Sequence, residues 1–207
     1  AMGASERAHI RMIAASGLNC KIVTWGRATV EDLRAAMGSG ADGYHFSLPA
    51  SELHQRIWKK DTAWVFKTME AISRLAADHF EYFSIGAQDA SRANSDFLKY
   101  FMEAAQSFGA KRVRYADTTG RLNPMQTHSI VQQLTSAYDI ELEFHGHNDL
   151  GMATANSVTA LLAGADCASV TVNGLGERAG NAPLEEVATG LLCSEKIDLG
   201  LDISRLA

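Results

Sequence analysis

Two histidines one residue apart, His145 and His147, lie in the run Phe144-His145-Gly146-His147-Asn148-Asp149. On an extended strand, residues i and i+2 point to the same face, so both imidazoles can converge on one cation. Gly146 leaves the opposite face unobstructed. The competing reading is a hydrogen-bonding pair of histidines at a strand end. A second loaded stretch is Val172-Asn173-Gly174-Leu175-Gly176-Glu177-Arg178-Ala179-Gly180-Asn181. Asn181 can offer an amide oxygen and complete a mixed nitrogen and oxygen set. That set suits a divalent ion of the Mg, Mn, Co or Zn class better than a thiolate metal. The glycines here do not make a dinucleotide fingerprint. That motif needs G-x-G-x-x-G, whereas Gly180 falls one residue late and the loop follows the last strand instead of the first.

These residues need elements to hold them, and composition narrows the choice. The chain has 207 residues, 46% hydrophobic and 21% charged, and a formal net charge of -5. This is the mix of an ordinary globular domain. Without a lysine or arginine block, it has no electrostatic draw toward nucleic acid or an anionic membrane. No apolar stretch is long enough to span a bilayer. The three cysteines, Cys20, Cys167 and Cys193, are too scattered for a disulfide framework or a CxxC metal site. A reducing, cytoplasmic setting fits them. Residues 1–6 are read as a tag remnant (Ala1-Met2-Gly3) with an N-terminal extension, and residues 7–207 as one domain.

Short β-type runs recur at Cys20–Trp25, Tyr44–Leu48, Tyr82–Ile85, Arg112–Tyr115, Ile140–Phe144 and Ser169–Val172. Helical patterns separate them. Thr29 with Asp32 resembles a capping box. Asp61 leads a stripe of Trp64, Val65, Thr68, Met69, Ile72 and Leu75 at helical spacing. Asn94 or Ser95 caps a helix that Gly109 stops. Pro124 and Pro183 stand where helices begin. Gly40-Ala41-Asp42, Gly109-Ala110-Lys111 and Gly164-Ala165-Asp166 each precede a strand. Strands alternating with helices imply a parallel sheet, either open and doubly wound or closed as a barrel. Polar groups at several strand ends favour the barrel, whose strand ends share one mouth. They are Thr24 and Arg27, Ser47, Gln88 and Asp89, Asp117 and Thr118, His145 and His147, and Asn173. The expected fold is therefore an α/β (β/α)8 TIM barrel, incomplete, with about six of eight βα units and the first two strands absent.

The segments HGHNDLGMATAN (145–156) and NGLGERAGNAPLEE (173–186) together resemble the homocitrate synthase, isopropylmalate synthase and HMG-CoA lyase family of metal-dependent barrels. VTWGRA, SIGAQDASRAN and RYADTTGRLNP extend the likeness upstream, and the wording is most similar to the homocitrate synthases of nitrogen fixation. The resemblance implies that His145, His147 and Asn181 hold a divalent metal ion. It implies that Thr118 contacts a bound 2-oxo acid and that Arg27 and Ser47 lie where carboxylates bind. Glu177 and Arg178 are expected to brace their loop. The implied reaction joins acetyl-CoA to a 2-oxo dicarboxylic acid, 2-oxoglutarate in the homocitrate case. The ion polarises the carbonyl that the thioester enolate attacks. Isopropylmalate- or citramalate-type synthesis, aldol-type lysis and a non-catalytic assembly role are the alternatives.

Several departures accompany the likeness. The family's opening Asp-Arg-Glu strand, source of a metal-binding aspartate and a catalytic arginine, has no counterpart, so no catalytic residue is assigned. A position usually acidic in the family is Gln88 here, with Asp89 beside it. The expectation is that the chain is inactive alone. Unpaired outer strands at Cys20–Trp25 and Ser169–Val172 should recruit a complementary subunit or a second copy.

Overall fold

The computed structural model describes residues 4–206; Ala1-Met2-Gly3, read above as a tag remnant, lies outside the described residues. Helix α1 (Ala4–Ala14) is followed by β1 (Val23–Arg27), α2 (Val30–Met37), β2 (Gly43–Pro49), α3 (Glu52–Ile57), α4 (Thr62–Ala77) and β3 (Tyr82–Gln88). Then come α5 (Ser95–Ser107), β4 (Arg112–Asp117), α6 (Pro124–Ala137), β5 (Glu141–Gly146), α7 (Ala153–Leu162), β6 (Cys167–Ser169) and α8 (Leu184–Gly190). The chain divides into two compact units, Ala1–Gln88 with Arg92–Val113, and Asp89–Ser91 with Arg114–Ala207.

In the first unit β1, β2 and β3 are parallel neighbours in chain order, with Val23 opposite Gly43 and Gly43 opposite Tyr82. In the second, β4, β5 and β6 also follow chain order, and β5 pairs in parallel with β6. Neither unit shows the reversal of strand order that defines a doubly wound sheet.

The faces of the strands reinforce this. A parallel sheet covered by helices on both sides reads as continuous apolar runs. Here the residues alternate. Tyr44, Phe46, Leu48, Phe83 and Ile85 are buried core of the first unit, and the intervening positions include His45, Ser47 and Ser84. In the second unit Tyr115 stacks on Phe144 with ring centroids 6.3 Å apart. The opposite side of the same strands carries Arg114, Glu143 and His145. One face takes helices and the other carries polar groups, as in a barrel wall.

The helix starts follow their capping residues. Asp61 accepts from the Trp64 amide, and Asn94 accepts from Asp96 and Phe97. Asn123 and Gln126 form a full reciprocal capping box, with Pro124 in the first turn. At Thr29 only half of the expected box forms. Thr29 accepts from the Asp32 amide, while the Asp32 carboxylate turns to Arg27. Pro183 is extended and precedes the first turn of α8. The stripe on α4 is narrower than predicted. Val65, Met69 and Ile72 are buried with Ser73 and Ala76, whereas Trp64 is half-buried and Leu75 exposed.

The recurring glycine phrases are helix-to-strand turns. Gly40, Gly109 and Gly164 have φ of 78°, 85° and 107°, a region that favours glycine. The third residue of each phrase then ties onto the preceding strand. Asp42 receives the Ile22 amide on its carboxylate at 2.7 Å and donates its own amide to Ile22 O at 2.8 Å. Asp166 makes the same exchange with Leu142, at 2.7 and 2.9 Å. Lys111, lacking a carboxylate, keeps only the backbone half, donating to Phe83 O.

All six strands differ in bounds from the sequence reading; the middle four run one to three residues further at their C-terminal ends, and the outer two are displaced. The first strand starts at Val23, not Cys20, and runs to Arg27, so Thr24 lies buried within it instead of at its end. The last strand is Cys167–Ser169, earlier and shorter than Ser169–Val172. Val172 and Asn173 belong to a tight 3-10 turn, with Asn173 at φ 56°.

Candidate metal centre

Strand β5 presents Glu143, His145 and His147 in alternation, and His147 is the first residue beyond the strand. The two imidazoles meet edge to face, with ring planes at 88° and centroids 4.9 Å apart. Their Nε2 atoms are 3.2 Å apart. Two imidazoles bound to one ion at ~2.0–2.1 Å, at angles between square and tetrahedral, have nitrogens roughly 2.9–3.4 Å apart. The observed pair has that spacing. Position 146 favours glycine, because a Cβ there would stand 2.9 Å from the Phe144 ring.

The loop 173–181 is pinned against this pair. His147 and Asn181 form an isolated antiparallel bridge, and the Asn148 amide donates to Gly180 O at 2.9 Å. Asn181 Nδ2 donates to Leu175 O at 2.9 Å, leaving its Oδ1 buried without a hydrogen-bond partner. A buried acceptor of this kind calls for a donor or a cation. The Asn181 amide packs directly on Gly176, where a Cβ would lie 2.6 Å from it. Among the described residues no third histidine, cysteine, aspartate or glutamate completes a cluster with the two histidines.

Arg178 braces the loop, as expected. Its Nε and Nη2 take both carboxylate oxygens of Asp149 at 2.6 and 2.7 Å, and Nη2 also donates to Thr118 O at 2.7 Å. Glu177 adds a weaker contact to Nη1 at 3.1 Å. Thr118, the expected 2-oxo acid contact, accepts the Asp89 amide on its hydroxyl at 2.8 Å. Asp117 is fully buried and holds Ser91 and the Leu122 amide.

The electrostatics keep the histidines neutral. Burial, aided by the Arg114 charge and by His147, pushes His145 from 6.5 down to about 3. His147 is also lowered, by burial first and by Arg178 second. A neutral imidazole offers a lone pair, which a metal requires. His145 Nδ1 lies 3.1 Å from Ser169 Oγ, a partner that orients the ring.

The other expected site residues lie in the first unit. Arg27 is paired through Nε and Nη2 to Asp32 at 2.9 and 2.8 Å. Ser47 Oγ is 3.2 Å from His45 Nε2, and His45 Nδ1 is 2.7 Å from Ser84 Oγ. The sequence reading passed over His45, Ser84, Ser169 and the Arg114–Glu143 pair. A period-two scan outward from Ser47 and His145 would have reached His45 and Glu143. Ser84, Ser169 and Arg114 come from neighbouring strands and carry no local signal.

A parallel βα array with a histidine pair at the end of the fifth strand defines the class: a barrel of the incomplete (β/α)8 type. The HMGL-like family matches residues 1–207, and the chain belongs to that family. It is 44% identical over 205 residues to 2-isopropylmalate synthase 2 of Caldanaerobacter subterraneus subsp. tengcongensis, covering 99% of this chain and 53% of the relative. It is 39% identical to homocitrate synthase 1 of Nostoc sp., covering 100% and 55%. The homocitrate synthase subunit alpha of Clostridium pasteurianum is 38% identical, with 87% of this chain and 68% of the relative covered. The chain thus spans about half the length of the first two relatives. The HMG-CoA lyase of Brucella melitensis superposes with a TM-score of 0.80 over 96% of this chain and 76% of its own, at 20% identity. At that identity the likeness establishes the fold.

Proposed function

We propose that this chain carries the metal-binding portion of a homocitrate-synthase-type acyltransferase, which condenses acetyl-CoA with 2-oxoglutarate. The observation that carries the reading is the pair of neutral imidazoles with Nε2 atoms 3.2 Å apart, bridged by backbone to a loop whose Asn181 Oδ1 is buried and unpaired. His145, His147 and Asn181 would hold the ion, of the Mg, Mn, Co or Zn class. When bound, it supplies Lewis acidity to the 2-oxo acid carbonyl.

The protein's own groups prepare that chemistry. Ser169 Oγ, 3.1 Å from His145 Nδ1, orients the ring; in the tautomer with the proton on Nδ1, Nε2 offers its lone pair to the ion. Arg178 holds the Asn181 loop to Asp149 and to the Thr118 backbone. The Asp89 amide occupies an acceptor site of the Thr118 hydroxyl, which leaves its proton to donate to the substrate carboxylate. Arg27 and Ser47 retain their proposed role as carboxylate-binding positions of the first unit. A reducing, cytoplasmic setting belongs to this proposal, and among the described residues no disulfide joins Cys20, Cys167 or Cys193. No helix among the described residues is long and apolar enough to cross a membrane.

The test is release of CoA from acetyl-CoA with 2-oxoglutarate, 2-oxoisovalerate or pyruvate, run with any complementary chain present. Preference for 2-oxoglutarate supports the reading. Preference for 2-oxoisovalerate would select the second reading, an isopropylmalate synthase, which the 44% identity to such an enzyme favours. No release with any acid, in a preparation that binds metal, would overturn both.

A further inference from the structure

Strand β5 carries a charged group that metal binding does not use. Glu143 precedes His145 by two residues, so the two share a face and are separated by roughly 6.6–6.8 Å of strand. From the adjacent strand β4, Arg114 Nε donates to Glu143 Oε1 at 2.5 Å. The Glu143 side chain is 6% exposed and that of Arg114 is 27% exposed.

A guanidinium has five N–H donors in a planar fork, and a purely structural pair with a carboxylate tends to engage it through two parallel bonds. Here the contact is one-armed, through Nε alone. The two Nη groups make no hydrogen bond to the described residues. A fixed cation with an open edge therefore stands about two strand residues from the histidine pair, on the same wall. The carbon chain of a 2-oxo dicarboxylate has a comparable reach.

We propose that Arg114, oriented by Glu143, selects for a second, distal carboxylate on the 2-oxo acid. The Nη edge takes that carboxylate, while the 2-oxo acid end lies at the His145–His147 centre. Glu143 is a positioning residue. Its negative charge holds the fork in place and offsets part of the Arg114 charge, so the open edge attracts one carboxylate without becoming a general anion trap. A site built around a charged donor rejects an analogue that lacks the partner, because the donor is left unpaired. The proposal rests on the synthase reading above.

Calorimetric titration of the metal-loaded protein with 2-oxoglutarate and with 2-oxoisovalerate tests it. Two variants are needed. Arg114→Lys keeps a charge for Glu143 but loses the fork. Arg114→Met combined with Glu143→Met removes both members of the pair, and a circular dichroism spectrum and thermal midpoint close to wild type establish that it folds. The expected result is wild-type preference for 2-oxoglutarate. Arg114→Lys should weaken that acid about 10- to 100-fold and leave 2-oxoisovalerate unchanged, and the double variant should abolish the preference. Equal loss of both acids would mean a structural role, and unchanged preference would mean none; either overturns the proposal. Wild-type preference for 2-oxoisovalerate would overturn the Arg114 assignment and leave the synthase reading standing. Binding of neither acid by metal-loaded protein would remove the synthase reading and this proposal with it.

Discussion

His145 shows how far burial alters an ordinary side chain. Its pKa falls from 6.5 to about 3, with burial the leading cause. Between those values the unfolded chain binds a proton that the folded chain refuses. Stability from this group is therefore complete above pH ~6.5 and is lost as pH falls toward ~3. The same neutrality governs metal binding. Affinity for Co2+ or Zn2+, followed by calorimetry, should hold steady as pH drops past 6.5, where two ordinary histidines would already be losing the ion to protons. A decline centred at 6.5 would contradict the buried environment. Gly176 offers a second test. A methyl group there would collide with the Asn181 amide at 2.6 Å. Gly176→Ala should lower metal affinity about 10-fold or more while the circular dichroism and thermal midpoint stay close to wild type, since the loop is exposed.

Beyond the 3-10 turn at its start, the loop 173–181 is held by backbone bonds at its end and by Arg178. This residue takes φ 54°, outside the usual range for a side chain with a Cβ, and spends its fork on Asp149 and the Thr118 carbonyl. The Asp149 carboxyl is correspondingly held below its ordinary range, first through the hydrogen bond from Arg178. Since Arg178 is 42% exposed, its ion pair adds little global stability, of order 1 kcal/mol or less. Its effect should be local. Arg178→Ala should speed amide hydrogen exchange at Asn148 and Asn181, whose N–H groups bond to Gly180 O and Gly174 O, and leave α4 and α5 unchanged. Uniform acceleration across the chain would instead make Arg178 a global stabiliser.

Across the chain, the outermost strands are where association is expected. β1 heads the strand order and β6 ends it, and each has one strand neighbour among the described residues. Trp25 on β1 is 63% exposed. Open parallel edges with an exposed aromatic are a template for pairing. Light scattering after gel filtration should show mass rising with protein concentration, or a stable complex once a complementary subunit is added. A single monomer peak at high concentration would count against edge pairing.

Much of this was legible before any coordinates, because the informative signals are local. Alternation of strand and helix, the helix starts at Asp61, Asn94 and Pro124, the three Gly-Ala turns and the spacing of His145 and His147 are short-range features of a chain with fixed backbone geometry. The fold class and the two-histidine wall follow from them. Boundaries were weaker. Cys20–Trp25 and Ser169–Val172 look β-prone, but pairing register and the turn at Asn173 decide where a strand starts and stops. What only the tertiary structure decided are the partners that come from elsewhere: Ser169 on His145, Arg178 on Asp149, Asp32 on Arg27, Ser84 on His45 and Arg114 on Glu143. Each joins residues on different elements, and hydrogen bonding between them depends on distances that no sequence spacing specifies. The depressed pKa of His145 belongs with these, since burial is a property of everything packed around a residue and not of its place in the chain.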